Sequence, residues 1–206
     1  MTDYLTQLKK LKALADTGLL YSQNEYDRER YNEILDISLE LIAESSGNSV
    51  PELKAMFSPV TDYPTVKTDV RALILSEDKT KVLLTQESAD GKWSLPGGWA
   101  DIGSSPKETA IKECWEETGL DIATTALLAV FDKRLHPHPP QPFYVYKMLF
   151  LCEAISGELK KGFDVLDVQY FDIYNLPELS EDRILKSQIE LAYSKVMKKD
   201  FIAYFD

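Results

Sequence analysis

Cysteine and histidine are scarce in this 206-residue chain, with two of each. Cys114 and Cys152 form no Cys-x-x-Cys and no metal-binding spacing, so two buried, reduced thiols in a cytosolic protein are expected. Two histidines cannot build a His-rich zinc site. No apolar run approaches the roughly 20 residues that span a bilayer. The opening Met1-Thr2-Asp3-Tyr4 lacks the cationic head and apolar core of a signal segment. A cytoplasmic location with no membrane partner is therefore expected. Positive charge is in deficit too: 23 Lys and Arg stand against 34 Asp and Glu, a formal net charge of −11. That balance argues against nucleic-acid or anionic-membrane binding, since both need a positive surface. The deficit is spread along the chain, with no basic arm, internal repeat or low-complexity tract. What is present suffices for a well-buried core: 44% of residues are apolar and 11% aromatic, which excludes a mostly disordered chain.

The pattern along the chain divides it in two. Residues 1–63 read as a small helical domain, joined by Asp62-Tyr63-Pro64 to a second domain over 64–206. Leu5, Leu8, Leu11 and Leu14 recur at three-residue spacing and predict one helix face, with Gly18 as its stop. Ser22 and Glu25 resemble a capping box before a second helix, whose stripe would hold Tyr31, Ile34, Leu35, Leu41 and Ile42. Ser45 to Ser49 break it, and Ser49 with Pro51 opens a short third helix. From Val66 the period becomes strand-like: Val66 to Leu75, Val82 to Leu84, Trp93 to Leu95, Ile122 to Lys133, Phe143 to Glu153 and Val168 to Phe171. Helices are expected over Pro106–Thr118 and Glu181–Lys198. Mixed strands with these helices predict an α+β architecture, helices packed on a mixed sheet.

The chemistry concentrates between Gly97 and Leu120. Ser105 is a natural N-cap, Pro106 suits the first helical position, Glu108 completes a capping box, and Gly119 suits the stop. On the helix so framed, Glu113, Glu116 and Glu117 stand at i, i+3 and i+4, within an arc of about 100°. Their mutual repulsion, and their place toward the helix C-terminus, make them locally unfavourable. A hard divalent cation with oxygen ligands would account for them.

The segment resembles the Nudix box, Gly-x5-Glu-x7-Arg-Glu-U-x-Glu-Glu-x-Gly-U, where U is apolar. Gly98, Glu113, Cys114, Glu116, Glu117, Gly119 and Leu120 match, and Trp93-Ser94-Leu95-Pro96-Gly97-Gly98 resembles the usual approach to the box. Two positions depart: Ser104 replaces a Glu and Lys112 an Arg, two residues that commonly pair in the family. Asp101 or Glu108 could offer Lys112 a substitute partner. The resemblance implies an α/β/α sandwich over residues 64–206. It also implies Mg²⁺- or Mn²⁺-dependent hydrolysis of a nucleoside diphosphate linked to another group. It makes Glu113, Glu116 and Glu117 metal ligands, with Glu117 central and the Gly98 carbonyl as a further ligand.

Outside the box, Ala13 to Leu19, Tyr26 to Tyr31, Asp132-Lys133-Arg134 and His136 to Pro140 resemble one bacterial subgroup. So do Tyr146-Lys147 and Leu151 to Glu153. That subgroup comprises ADP-ribose pyrophosphatases and CDP-choline pyrophosphatases, and its N-terminal helices imply a homodimer. The resemblance implies a general base either in the box itself or on a later loop, and Asp164 and Asp167 sit in the corresponding late region. Lys133, Arg134 and Lys147 are candidate phosphate contacts, and Trp99 and Tyr146 candidate stacking residues. Two other classes remain open at this point. A non-catalytic nucleotide sensor would not need the full set of glutamates, and an RNA-processing enzyme is disfavoured by the net charge.

Overall fold

The computed structural model describes residues 4–57 and 63–206; the Asp62 end of the expected linker lies outside them. It divides into two compact units, Met1–Val66 with Pro140–Tyr144, and Lys67–Pro139 with Val145–Asp206.

The first unit holds helices α1 (Tyr4–Tyr21), α2 (Glu25–Ser46) and α3 (Val50–Phe57). Leu5, Leu8, Leu39, Ile42, Ala43 and Leu53 form its core. The buried face of α1 runs Leu5, Leu8, Lys12, Ala15 and Asp16, while Leu11 and Leu14 are exposed. The expected leucine face is thus only half realised. A strict three-residue step drifts about 60° per repeat, so four leucines fan around the helix, whereas i+3/i+4 spacing keeps one line. Gly18 does not stop α1. A Cβ there would fall 2.5 Å from the Tyr31 ring, so its glycine lets α1 and α2 approach closely. Asn24, not Ser22, caps α2, accepting from the Tyr26 amide at 2.9 Å. Gly47 ends that helix in the left-handed region at φ 74°. Ser49 and Glu52 cap α3 reciprocally. The Lys12–Asp16 pair is buried at 2.6 Å. Phe143 belongs to this unit, stacked edge-on against Phe57 at 5.5 Å and accepting from Lys9, rather than opening a strand.

The second unit contains β1 (Lys67–Ile74), β2 (Lys81–Glu87), β3 (Trp93–Ser94), β4 (Gly97–Trp99), α4 (Pro106–Thr118) and β5 (Leu120–Asp132). These are followed by β6 (Val145–Gly157), β7 (Val165–Asp172), α5 (Lys186–Met197) and β8 (Tyr204–Phe205). One sheet is ordered β4-β1-β6-β5-β8 and a second β3-β2-β7. β1 runs parallel to β6 and antiparallel to β4, so the larger sheet is mixed. Alternation on β1 serves two faces. Val70, Ala72 and Ile74 cluster with Ala110 and Cys114 of α4. Leu73 joins Leu149, Phe131 and the Ile189, Ala192 and Val196 stripe of α5. Helices therefore pack on both faces of the strands, the α+β architecture expected. Both thiols are buried and free. Helix α5 starts five residues later than expected, because residues 181–185 are spent in turns before Gln188 accepts from the Leu185 amide. Strands β4 and β8 were not anticipated; each is two or three residues long.

Candidate active site

Helix α4 is fixed at both ends by its own sequence. Ser105 Oγ accepts from the Glu108 amide at 3.3 Å, and Glu108 returns the bond by accepting from the Ser105 amide at 2.8 Å. Gly119 closes the helix at φ 72°, donating to the Trp115 carbonyl at 2.9 Å. Ala110 and Cys114 are buried against the sheet, which sets the rotation of the helix about its axis. Glu117 and Glu113 are thereby carried to Gly97 and Gly98 of β4, and Glu116 to Lys112.

The three carboxylates meet different surroundings. Glu117 is buried; its Oε2 accepts from the Gly97 amide at 3.0 Å, with the Thr85 hydroxyl at 3.4 Å. Burial pushes its carboxyl up to about 8, against the pull of the Arg71 charge. Glu113 is mostly covered, and burial raises its carboxyl as well. A Cβ at Gly98 would fall 2.6 Å from Glu113 Oε2, so a side chain there would push that carboxylate aside. Glu116 is more open and lies 3.5 Å from Lys112 Nζ.

Lys112 settles the question raised by its departure from the box. Its ammonium donates to Asp101 Oδ2 at 3.1 Å, with Glu113 Oε1 at 3.9 Å. Asp101 is the substitute partner; Glu108 is committed to the cap. Ser104 only donates its amide to the Asp101 carbonyl, at 3.2 Å.

The donor set suits a hard divalent ion: carboxylate oxygens and a backbone carbonyl, and no sulfur or imidazole. The space kept free of a Cβ between Gly98 and Glu113 fits the same use. Among the described residues, no three His, Cys, Asp or Glu side chains stand together in an arrangement that could hold a metal ion. The reason is visible in the partners: Glu117 turns inward to Gly97, while Glu116 leans toward Lys112.

The other expected site residues separate into groups. Asp164, in the bend before β7, stands near enough to Glu117 for its charge to raise that carboxyl. Asp167 lies on β7 opposite Gln86, and its Oδ1 accepts from the Val168 amide. Lys133 and Lys147 are not free cations. Lys133 is buried and donates to the Asp182 carbonyl and carboxylate at 2.6 and 2.7 Å. Lys147 is buried against Asp69, and burial lowers its ammonium to about 8. Arg134 pairs with Asp132 at 3.1 Å and keeps an exposed edge. Trp99 and Tyr146 are both part-exposed, but the register sets them on opposite faces. Trp99 shares a row with Asp69 and Lys147, whereas Tyr146 pairs with Thr68. They cannot form one clamp.

Arg71, which the sequence alone allows as an edge charge or a phosphate contact, sits instead in a buried network. Arg71 is buried and donates to Asp69, to Ser94 Oγ at 3.2 Å and to the Leu95 carbonyl at 3.0 Å. Glu87 stands 3.6 Å from it, accepts from Ser94 Oγ at 2.5 Å and pairs with Arg183 at 3.0 Å. This network ties β1, β2 and β3 together immediately before Gly97-Gly98. The available signal was Asp69 and Arg71 at i and i+2, on one face of an otherwise apolar strand.

Comparison with known proteins agrees with this geometry. Residues 66–190 match the Nudix domain, and residues 2–57 match a UDP-X-like N-terminal oligomerisation domain. A Bacillus subtilis (strain 168) protein carrying a provisional ADP-ribose pyrophosphatase name, YjhB, is 36% identical over 205 residues. The alignment covers 100% of this chain and 98% of that one. The crystal structure of a UDP-X diphosphatase is 34% identical, with a TM-score of 0.64 over 99% of this chain and 98% of that one. The structure of an ADP-ribose pyrophosphatase from Streptococcus suis 89-1591 is 33% identical. It has a TM-score of 0.59 over 69% of this chain and all of its own. A fold with helices on both faces of a mixed sheet, a capped helix bearing the box glutamates, and matches spanning both segments place the chain in the Nudix hydrolase family.

Proposed function

We propose that this enzyme hydrolyses the pyrophosphate bond of a nucleoside diphosphate-X, of the ADP-ribose or CDP-choline type, to a nucleoside monophosphate and phosphorylated X. The observation that carries the reading is the set of Glu113, Glu116 and Glu117 on one capped helix, with Glu113 and Glu117 against the Gly97-Gly98 backbone. Nudix hydrolases use divalent metal ions, and Mg²⁺ or Mn²⁺ is the cofactor inferred. Glu113, Glu116, Glu117 and the Gly98 carbonyl would hold it. When bound, it neutralises the pyrophosphate and lowers the pKa of water.

The protein's own residues supply the rest. The Gly97 amide holds Glu117 in place through its Oε2. The Asp69–Arg71–Glu87 network fixes the strands that deliver Gly97 and Gly98. Asp164, exposed and close to Glu117, is the better placed of the two acids to take the proton of the attacking water. Asp164→Asn should reshape the acid limb of the pH–rate profile, and Asp167→Asn should not. Trp99 and Arg134 offer part-exposed stacking and guanidinium surface, and Tyr146 a further ring on the other face. Lys133 and Lys147 shape the wall through their aspartates rather than by meeting phosphate.

The helical unit is assigned to pairing two copies, a reading supported by the oligomerisation-domain match. Residues 1–63 would thus assemble the enzyme and 64–206 carry catalysis. No helix among the described residues is long and apolar enough to cross a membrane; a cytoplasmic homodimer acting on a small molecule is the inferred setting. The relatives' names favour ADP-ribose or a UDP-linked compound over CDP-choline. A panel of ADP-ribose, CDP-choline and a UDP-sugar, incubated with Mg²⁺ or Mn²⁺ and resolved by mass, tests the proposal. Release of a nucleoside monophosphate is expected; no hydrolysis of any member would defeat it.

A further inference from the structure

A second feature borders the glutamate site within the same unit. A cleft of about 450 Å³ is lined by Trp115, Glu116, Glu158, Lys160, Lys161 and Phe163, among others. Its volume lies in the range of small-ligand sites.

The cleft is built on a fixed backbone. After β6 the chain crosses the C-terminal end of α4, where Lys160 donates its amide to the Thr118 carbonyl at 2.9 Å and Gly162 to the Glu117 carbonyl at 3.0 Å. These bonds satisfy helix carbonyls that would otherwise lack partners. A Cβ at Gly162 would fall 1.9 Å from the Glu116 carbonyl, so the approach requires glycine. On this anchored segment Phe163 is 94% exposed, and across the cleft Trp115 is 58% exposed. Phe163 leaves almost all of its ring in water and Trp115 more than half, and that exposed area adds nothing to folding. Two lysines stand beside them in a chain of net charge −11. Lys161 Nζ donates to the Leu166 carbonyl at 3.1 Å, and Lys160 has no carboxylate partner among the described residues. Glu116 lines the cleft on one side, which brings one of the three helix glutamates to its wall.

We infer that this cleft, rather than the Trp99 or Tyr146 face, receives the nucleobase of the substrate, with its ring against Trp115 and Phe163 and its phosphate side directed past the lysines toward Glu116. Two aromatic faces suit a flat, π-faced group, and cations suit the phosphate attached to it. An acidic or purely aliphatic occupant would use only one of these features. The inference rests on the pyrophosphatase reading and names the end of the substrate that this surface holds.

The test compares Trp115→Ala, Phe163→Ala and Phe163→Tyr with the wild type on the best nucleoside diphosphate-X substrate. Each alanine should raise KM by roughly tenfold, more than it lowers kcat, and Phe163→Tyr should restore KM. Exposure of both rings keeps the variants folded, which circular dichroism verifies. A second arm titrates metal-free wild type with AMP or with ribose 5-phosphate. AMP should quench a tryptophan signal that Trp115→Phe loses, and ribose 5-phosphate should not. Unchanged KM in both alanine variants, or equal quenching by the two ligands, would overturn the assignment. If the wild type hydrolyses nothing, the pyrophosphatase reading fails, while the AMP titration still decides the cleft.

Discussion

Lys112 Nζ donates to Asp101 Oδ2 at 3.1 Å, across eleven residues of loop and helix. The box position that usually carries Glu is Ser104, so the acid has moved three residues upstream and the cation has become a lysine. The ammonium also stands 3.5 Å from Glu116 and 3.9 Å from Glu113. It therefore does two things: it ties down the loop before α4, and it places a positive charge beside two inferred metal ligands.

Removing that charge should help a divalent cation bind, because like charges repel through a solvent-exposed gap. Lys112→Ala is expected to bind Mn²⁺ a few-fold more tightly by calorimetric titration, with little change in melting temperature, since exposed pairs contribute little to stability. Weaker Mn²⁺ binding would show that loop anchoring outweighs charge competition.

The buried Asp69 behaves differently. Burial alone would raise its carboxyl, but Arg71 and Lys147 overcome that and hold it at about 2. Asp69→Ala leaves two cations buried without their acid. A loss of about 3–5 kcal/mol in urea unfolding is expected, the usual cost of breaking a buried pair by removing one partner. A loss below about 1 kcal/mol would mean that Arg71 and Lys147 find other partners.

His138 supplies a pH dependence. Its Nδ1 donates to the Glu181 carbonyl at 2.6 Å, so Nε2 accepts from the Gln188 amide at 3.1 Å. Burial lowers its pKa from 6.5 to about 4. Between those values the unfolded chain binds the proton more readily, so stability is full above pH 6.5 and is lost as pH falls toward about 4. His138→Gln should flatten the fall in melting temperature between pH 6.5 and 5. An equal fall in both proteins would place the acid sensitivity elsewhere.

What could be read in the sequence follows from how local each signal is. Helix α4 was legible to the residue because Ser105, Pro106, Glu108 and Gly119 act within one turn of its ends. The glutamate triad was legible because helical geometry alone brings i, i+3 and i+4 together. Gly18 was misread because its reason lies thirteen residues away, in the Tyr31 ring. Lys133 and Lys147 look like surface cations in sequence; only the fold reveals Asp182 and Asp69 against them. Strand β4 is three residues of Gly-Gly-Trp, with no period to detect, and exists because β1 pairs with it. The cleft beside Trp115 arises from a loop lying over a helix end, which no local pattern announces.

Glu117 decides whether the helix glutamates perform the chemistry or decorate a surface. Glu117→Gln keeps an acceptor for the Gly97 amide, so the fold should survive, with an unchanged circular dichroism spectrum. A fall in kcat of at least about a hundredfold on the preferred nucleoside diphosphate-X is expected, together with weakened Mn²⁺ binding. A folded variant that turns over within about threefold of the wild type would contradict that catalytic role.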